Sequence, residues 1–518
     1  MDAFELPSLF QLFLGSVLFY TIYYIYWELT TGATRRAIIK EHGCKPIKSD
    51  PHYQYFPNNI FGYRSLIENL PAVKQHKFLE LISSRHHRNG QATMHQKVLS
   101  TDMIQTIEPE NLKTMLALNF KDWSLGRRRI DAFLPLLGHG IFTTDGAAWQ
   151  HSREMLRPNF VRSQVGDLAT FEIHVAQLIK AIPHDGSTVD LQDLFFQLTM
   201  DSATEFLFGE STDCLSQGGT SESSAMFAES WNRGQETIAE IARSGKLGEW
   251  LVKPQFKKDV NFVHDFVDHF VRKGLEHRKD LLDLDKAGAV KEEEGDRYIF
   301  LNELVKQTAN PLQIRSELLN ILLAGRDTTA SLLSNMWFIM ARRPDIWEKM
   351  RAEVATLGGE RPTLQQIKDM KYLRWVINEC LRLYPVVPGN SRTAVVDTVL
   401  PVGGGEDGKS PLFVPKGQIV QWSLFMMHRR KDLYGEDAEE FKPERWEKIR
   451  PGWEYLPFNG GPRICIGQQF ALTEASYTTI RLMQEFKEIE SRDSRPWSEW
   501  YTLTCAIEQG TIVGLTPA

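Results

Sequence analysis

Residues 458–467 read Phe-Asn-Gly-Gly-Pro-Arg-Ile-Cys-Ile-Gly, an order of residue types suited to presenting a thiolate to a metal. Gly460, Gly461 and Gly467, with Pro462, leave the backbone bare enough to lie against a flat macrocycle where side chains would collide. Arg463, two residues before Cys465, can reach an anionic carboxylate at the edge of such a group. A lone cysteine in a Gly-rich turn is ordinarily a small buried hydrophobe, so the assignment depends on what surrounds it. A second chemical stretch is Ala324-Gly325-Arg326-Asp327-Thr328-Thr329. Gly, Asp and Thr weaken a helix or compete for its backbone hydrogen bonds, yet apolar runs at 318–323 and 332–339 flank this one on both sides. A local rule broken inside a core helix marks a functional site.

The element that must carry this stretch starts at Asn310-Pro311, a cap followed by proline at the first helical position, and continues to Arg343-Pro344. At 1.5 Å per residue it spans roughly 50 Å, the width of a large domain. Thr363 and Gln366 form a capping box that opens the next segment, which runs to Tyr384-Pro385. Glu379 and Arg382 share one face of it among apolar neighbours, so their charges need each other and a further donor. Arg445, in Pro443-Glu444-Arg445-Trp446, offers that donor. Helical patterns at 193–208, 224–242 and 258–279 outnumber short β-prone pieces such as 104–107 and 419–424. The fold class is mostly α with small β-sheets. Residues 286–296, with Glu293-Glu294, read as an exposed loop.

The 518 residues, 42% hydrophobic, can bury a large core, and length alone suggests about three domains. A net charge of -6 gives no global reason to bind nucleic acid. Cysteines 44, 214, 380, 465 and 505 are odd in number, scattered and without zinc spacing, which points to reduced thiols. Residues 6–27 carry no charge and are long enough to cross a bilayer, with Tyr20, Tyr23, Tyr24, Tyr26 and Trp27 suited to an interface. Asp2 and Glu5 and the lack of a small-residue cleavage site favour a retained anchor over a signal peptide. Arg35, Arg36 and Lys40 then place the rest of the chain in cytosol, which in a eukaryote means the endoplasmic reticulum membrane. Residues 28–62, with Gly32, Gly43, Pro46, Pro51 and Pro57, read as a connector.

Four separated elements, the Ala-Gly-x-Asp-Thr-Thr helix, Glu379-x-x-Arg382, Pro443-Glu444-Arg445-Trp446 and Phe-x-x-Gly-x-Arg-x-Cys-x-Gly, stand in the order shown by the cytochrome P450 family, which the chain resembles from about residue 50 onward. The resemblance implies one prism-shaped domain at 63–518 after an anchor at 1–30 and a linker at 31–62, in place of the several that length suggests. It makes Cys465 the axial thiolate of haem b, with Phe458 in the same loop. Glu379, Arg382 and Arg445 become a structural triad. Trp149 and Arg153 match a Trp-x-x-x-Arg helix that reaches the haem propionates, with Arg392 and Arg463 as the other propionate partners. A dianionic group in a dry site does need several fixed guanidinium donors. A thiolate opposite an open iron position favours cleavage of bound dioxygen. Asp327 and Thr328 then become the proton relay, and Gly325 leaves room for oxygen.

Residues 458–475, Gly43-Cys44-Lys45-Pro46 and the Gly403–Pro411 run are similar to the fungal branch that hydroxylates n-alkanes and fatty acids at their chain ends. The Gly403 run lacks the Gly-Lys-Ser/Thr of a phosphate cradle and reads as a surface turn. Leu134, Leu137, Leu322, Ala324, Val386 and Val387 are apolar lining candidates and favour a lipophilic substrate. The same chemistry applied to a fungal polyketide or related secondary metabolite is the alternative. A haem isomerase of oxidised lipids would depart from the Asp327-Thr328 pair, and a decayed scaffold protein would have lost Cys465, Arg463 or the ion pair; all are intact. No flavin or nicotinamide fingerprint accompanies the motifs, which implies a separate NADPH-cytochrome P450 reductase in the same membrane. His428, Arg429, Arg430 and Lys431 form a short basic run that could meet its acidic face or simply be solvated.

Overall fold

The computed structural model describes residues 9–48, 62–98, 101–160, 167–216, 221–244, 252–286 and 298–518. The expected exposed loop at 286–296 lies almost wholly outside them. Among the described residues helices dominate, with four small sheets. The largest sheet has the strand order Thr93–Val98, Thr101–Thr106, Ile419–Ser423, Gly389–Ala394, Trp123–Ser124. Thr101–Thr106 runs parallel to Ile419–Ser423, and the other pairs are antiparallel.

The long helix Pro311–Met340 is the axis of the fold. The Asn310 side chain caps it by accepting from the N–H groups of Leu312 and Gln313 at 3.0 and 3.3 Å. Its first half, from Ile314 to Leu323, packs into a core with helices Arg127–Leu137, Leu191–Phe208, Glu222–Ser244 and Pro254–Lys286. Its second half, from Ala330 to Met340, packs into another with Leu168–Ala181, Lys371–Leu383 and Gln468–Glu485. Residues 324–329 fall between the two cores, which is why polar groups are tolerated there.

The segment opened by the Thr363–Gln366 capping box is not one helix. It breaks at Met370, whose backbone is extended, into Leu364–Asp369 and Lys371–Leu383. Glu353 starts the second helix by accepting from the N–H groups of Tyr372 and Leu373 at 2.9 and 2.8 Å.

Glu379, Arg382 and Arg445 meet as expected. Arg382 donates through Nε and Nη2 to the Glu379 carboxylate at 2.9 and 2.8 Å, and Arg445 Nε donates at 2.8 Å. Trp446 Nε1 and the Lys442 N–H complete the carboxylate shell at 3.0 and 2.8 Å. Arg382 also holds the carbonyl oxygens of His428 and Ala438, so the two charges fasten the segment that leads into the cysteine loop.

The basic run at 428–431 is not a surface patch. His428 is fully buried, sits against the Arg382 carbonyl at 3.1 Å and accepts from the Leu456 N–H. Burial drives its pKa down to about 3. Arg429 stacks on Phe425 at 3.7 Å, and Arg430 pairs with Glu108 and Asp432. Of the four only Lys431 is exposed; Arg429 and Arg430 are half-buried and paired with Glu439, Glu108 and Asp432.

At the N-terminus, Leu9–Trp27 has no buried residue and would rise about 28 Å, close to a bilayer core. The first part of the expected connector, as far as Glu41, is helical, and residues 49–61 lie outside the described residues. A π-turn at Glu28–Gly32 passes directly into helix Ala33–Glu41. Arg35 pairs through Nε and Nη2 with Asp397 at 3.0 and 3.1 Å and lies near the Trp27 and Phe413 rings. The Lys45 N–H then donates to the Pro411 carbonyl, and the Gly405 N–H to the Pro46 carbonyl. These contacts explain the glycine run at 403–405. It belongs to the hairpin of Thr398–Gly404 and Ser410–Val414, and a Cβ at Gly404 would lie 2.3 Å from the Lys45 carbonyl oxygen. The run is therefore a docking hairpin for the post-anchor segment.

Candidate active site

Cys465 closes a tight loop. Its N–H donates to the Phe458 carbonyl at 3.0 Å, and the Ile464 N–H donates to that of Gly461 at 3.0 Å. Asn459 (φ 62°) and Gly461 (φ 67°) both take left-handed backbone, and a Cβ on Gly461 would strike the Leu116 carbonyl oxygen at 1.8 Å. Helix Gln468–Glu485 begins three residues after Cys465, aiming its positive end toward the sulfur. The sulfur is open to an internal cavity, so Cys465 counts as solvent-accessible although it lies deep in the protein. Depth raises its thiol pKa, with the Gly467 N–H and Arg153 acting in the opposite sense.

The cavity encloses about 1140 Å³ and is mostly apolar. Cys465, Phe458 and Ile464 form one wall, and Ala324, Gly325 and Thr328 of the long helix form another. A Cβ on Gly325 would meet nothing nearer than Ala203 at 4.0 Å, so open space adjoins it. Val386 and Val387 line the cavity as expected, whereas Leu134, Leu137 and Leu322 do not. Leu137 and Leu322 are fully buried in the helical core. Ile321 and Leu323 take the place expected of Leu322, because one residue along a helix turns the side chain by roughly 100°.

Guanidinium groups gather at one edge of the cavity. Arg463 donates to the Thr144 carbonyl and to Asp145 at 2.9 and 2.7 Å and stacks 4.3 Å from the Trp149 ring. Arg153, one helical turn from Trp149, donates to the Ile464 carbonyl at 3.0 Å. Arg392 reaches the Ser391 carbonyl and Asn390, and Arg129 shares the Asn390 side-chain oxygen. Burial and mutual repulsion lower the pKa of Arg392 to about 9, and burial is the main reason that Arg129 and Arg463 fall to about 10. Arg129, Arg392 and Arg463 thus share a single carboxylate, Asp145, Arg153 stands beside Cys465, and among the described residues Arg129 Nε is buried without a partner. This set fits the two carboxylates of a haem, and Cys465 fits a thiolate ligand to its iron. Arg129 was not singled out from sequence. The available signal was the run Arg127-Arg128-Arg129 in a helical first turn, where the helix dipole disfavours cations.

Asp327 and Thr328 are neighbours in sequence and face different ways. Thr328 lines the cavity and donates its hydroxyl proton to the Ala324 carbonyl at 2.7 Å, leaving oxygen lone pairs free. Asp327 is buried behind the wall and pairs with Arg326 at 2.8 Å, which in turn reaches Asn232. Burial raises the Asp327 carboxyl pKa, against Arg326 and Gln235. A further acid, Glu474 on the helix after Cys465, is buried beside Ser202 and the cavity-lining Thr329, and burial lifts its pKa to about 7. The sequence showed it only as part of the extended cysteine motif.

A thiolate loop, a long helix with a polar break and an arginine rim together define a haem-thiolate oxygenase. The family model for cytochrome P450 matches residues 62–508, and the chain belongs to that family. It is 46% identical over 483 residues to cytochrome P450 monooxygenase himC of Aspergillus japonicus, covering 92% of this chain and 84% of the relative. It is 43% identical to cytochrome P450 monooxygenase fsdH of Fusarium heterosporum, covering 95% and 86%. Cytochrome P450 52A5 of Candida maltosa is 46% identical over 437 residues, covering 80% and 81%. The protein is accordingly a haem-dependent monooxygenase supplied with electrons by a redox partner.

Proposed function

We propose that the chain hydroxylates a fatty acid or n-alkane at or near the chain end, drawing electrons from an NADPH-cytochrome P450 reductase at the endoplasmic reticulum membrane. The observation that carries this reading is the large, mostly apolar cavity between Cys465 and the polar break of the long helix. The extended cysteine motif, similar to the fungal alkane and fatty-acid branch, supports the same substrate class. In this reading residues 1–30 anchor the chain, 31–62 connect and 63–518 form the catalytic domain, with that domain in the cytosol. Cys465 would ligate the haem iron, while Arg129, Arg153, Arg392 and Arg463, with Trp149, would hold its propionates. The bound haem supplies the oxidation of an unactivated carbon. Phe458 and Gly325 shape the two faces of the pocket, and apolar walls exclude water from the reacting carbon. Thr328 would accept a hydrogen bond on the cavity side of the long helix, and Asp327, held by Arg326, would bring protons to it.

A second reading, oxidation of the aliphatic part of a secondary metabolite by the same chemistry, is kept because the Aspergillus relative is as similar as the Candida one, at 46%. Product analysis with reductase, NADPH and a panel of long-chain fatty acids, alkanes and polyketides separates the two. Terminal or near-terminal hydroxylation of linear chains supports the first. Inactivity on every linear chain, with turnover of a polyketide, supports the second.

A further inference from the structure

The arginines lining the cavity divide into three groups. Arg129, Arg153, Arg392 and Arg463 gather at the haem edge. Arg233 is neutralised by Asp259 at 2.6 Å and by Glu229. Arg128 and Arg243 are different: among the described residues neither has a carboxylate partner. Arg128, in the first turn of helix Arg127–Leu137, donates through Nε and Nη2 to the carbonyl oxygens of Ala242 and Arg243. Arg243, at the end of helix Glu222–Ser244, donates through Nη1 to the carbonyl of Tyr501 at 2.9 Å. Both arginines and Tyr501 line the cavity where these three segments meet.

Backbone carbonyls satisfy donors without cancelling a full charge, so two half-buried cations stand on the cavity wall with no ion pair among the described residues. Burial lowers the Arg128 pKa. Arg128 Nη1 and the Nε and Nη2 groups of Arg243 are left without a protein acceptor among the described residues. Those donors can make the forked contact that guanidinium groups offer a carboxylate. Glu240 and Glu236, about one and two turns before Arg243, also line the cavity and are exposed. Their charge confines the favourable position for an anion to the Arg128–Arg243 end.

We propose that Arg128 and Arg243 form an anion subsite of the substrate cavity that binds the carboxylate of the substrate, so that the preferred substrate is a free long-chain carboxylic acid and not a neutral chain. This rests on the lipid reading above and chooses within it. The pair is specificity-determining and takes no part in the oxidation itself.

The test is equilibrium binding to the haem-loaded, full-length protein of hexadecanoic acid, its methyl ester and n-hexadecane, followed by displacement of a fluorescent fatty acid and by calorimetry. For the wild type, the acid is expected to bind about tenfold or more tightly than the ester, the scale of a charged hydrogen bond. Arg243→Gln should bring acid and ester together while ester binding stays unchanged, and Arg243→Lys should keep part of the preference. Arg128 also holds helix carbonyls, so Arg128→Gln is read only beside its melting temperature, and Arg243→Gln decides. Equal binding of acid and ester by the wild type, or an undiminished preference in Arg243→Gln, overturns the subsite alone if the neutral chains bind and are hydroxylated. Failure of all three compounds to bind overturns the lipid reading and the subsite with it.

Discussion

Replacing Glu379 by Gln keeps the size of the side chain and removes its charge. The native carboxylate is fully buried and accepts from Arg382, Arg445, Trp446 and the Lys442 N–H, all within 3.0 Å. A glutamine supplies one acceptor oxygen and points an NH2 group at donors, so buried Arg382 loses its carboxylate partner and Arg445 keeps only Asp437. Removing one partner of a buried pair costs about 3–5 kcal/mol, a large share of the roughly 5–15 kcal/mol that holds a domain together. At about 2.1 cal/mol/K for each of some 450 residues, the melting midpoint should fall by about 3–5 °C. The segment that loosens first is the one whose carbonyls Arg382 and Arg445 hold, at Tyr434, Asp437, Ala438 and Glu440. Fluorimetric melting and the fraction of protein retaining bound haem report the two effects. Adding Arg445→Gln should cost less than it does alone, since the stranded charge is removed. A midpoint within about 1 °C of wild type would show that the charge does not hold the segment.

Gly461→Ala should lose haem loading, because its Cβ falls 1.8 Å from the Leu116 carbonyl oxygen on left-handed backbone; Gly467→Ala, whose Cβ meets only Phe160 at 3.8 Å, should retain it. Equal haem-to-protein ratios in the two variants would contradict this. Glu474 has a folded pKa of about 7 against an ordinary value of 4.5, so the folded state binds the extra proton between those values and stability falls as pH rises across them. At about 1.4 kcal/mol per pH unit the fall is about 3 kcal/mol, and Glu474→Gln should remove it from a denaturation profile taken between pH 4.5 and 8. An unchanged slope would show the acid is ionised when folded. Thr328→Ala should go on consuming NADPH while product falls and hydrogen peroxide rises, and unchanged coupling of NADPH to product would remove Thr328 from proton delivery.

The parts legible in the sequence were those whose constraint is local or whose charge demands a partner. Glu379 and Arg382 among apolar neighbours required a third group, and Arg445 supplies it. Gly461 is required by its own backbone angle and by one close contact. Long-range contact was not legible. Gly32 and the prolines beyond it suggested a connector after the anchor, and nothing local showed that Arg35 finds Asp397 far along the chain or that helix persists to Glu41. His428, Arg429 and Arg430 looked like surface cations because burial by the triad segment leaves no trace in a count of charges. Helix phase was accurate to one residue, enough to find Ala324 but not to choose Ile321 and Leu323 over Leu322. Arg129 escaped notice because its role depends on Asn390 and Asp145, which only folding brings near.

The most direct test of the central claim is the absorption spectrum of the reduced protein under carbon monoxide, compared between wild type and Cys465→Ala at equal protein concentration. The wild type is expected to show the red-shifted Soret band of a thiolate-ligated haem, and the variant to lack it even where haem remains bound within the arginine rim. A variant that keeps the band would place the axial thiolate elsewhere and contradict the assignment of Cys465.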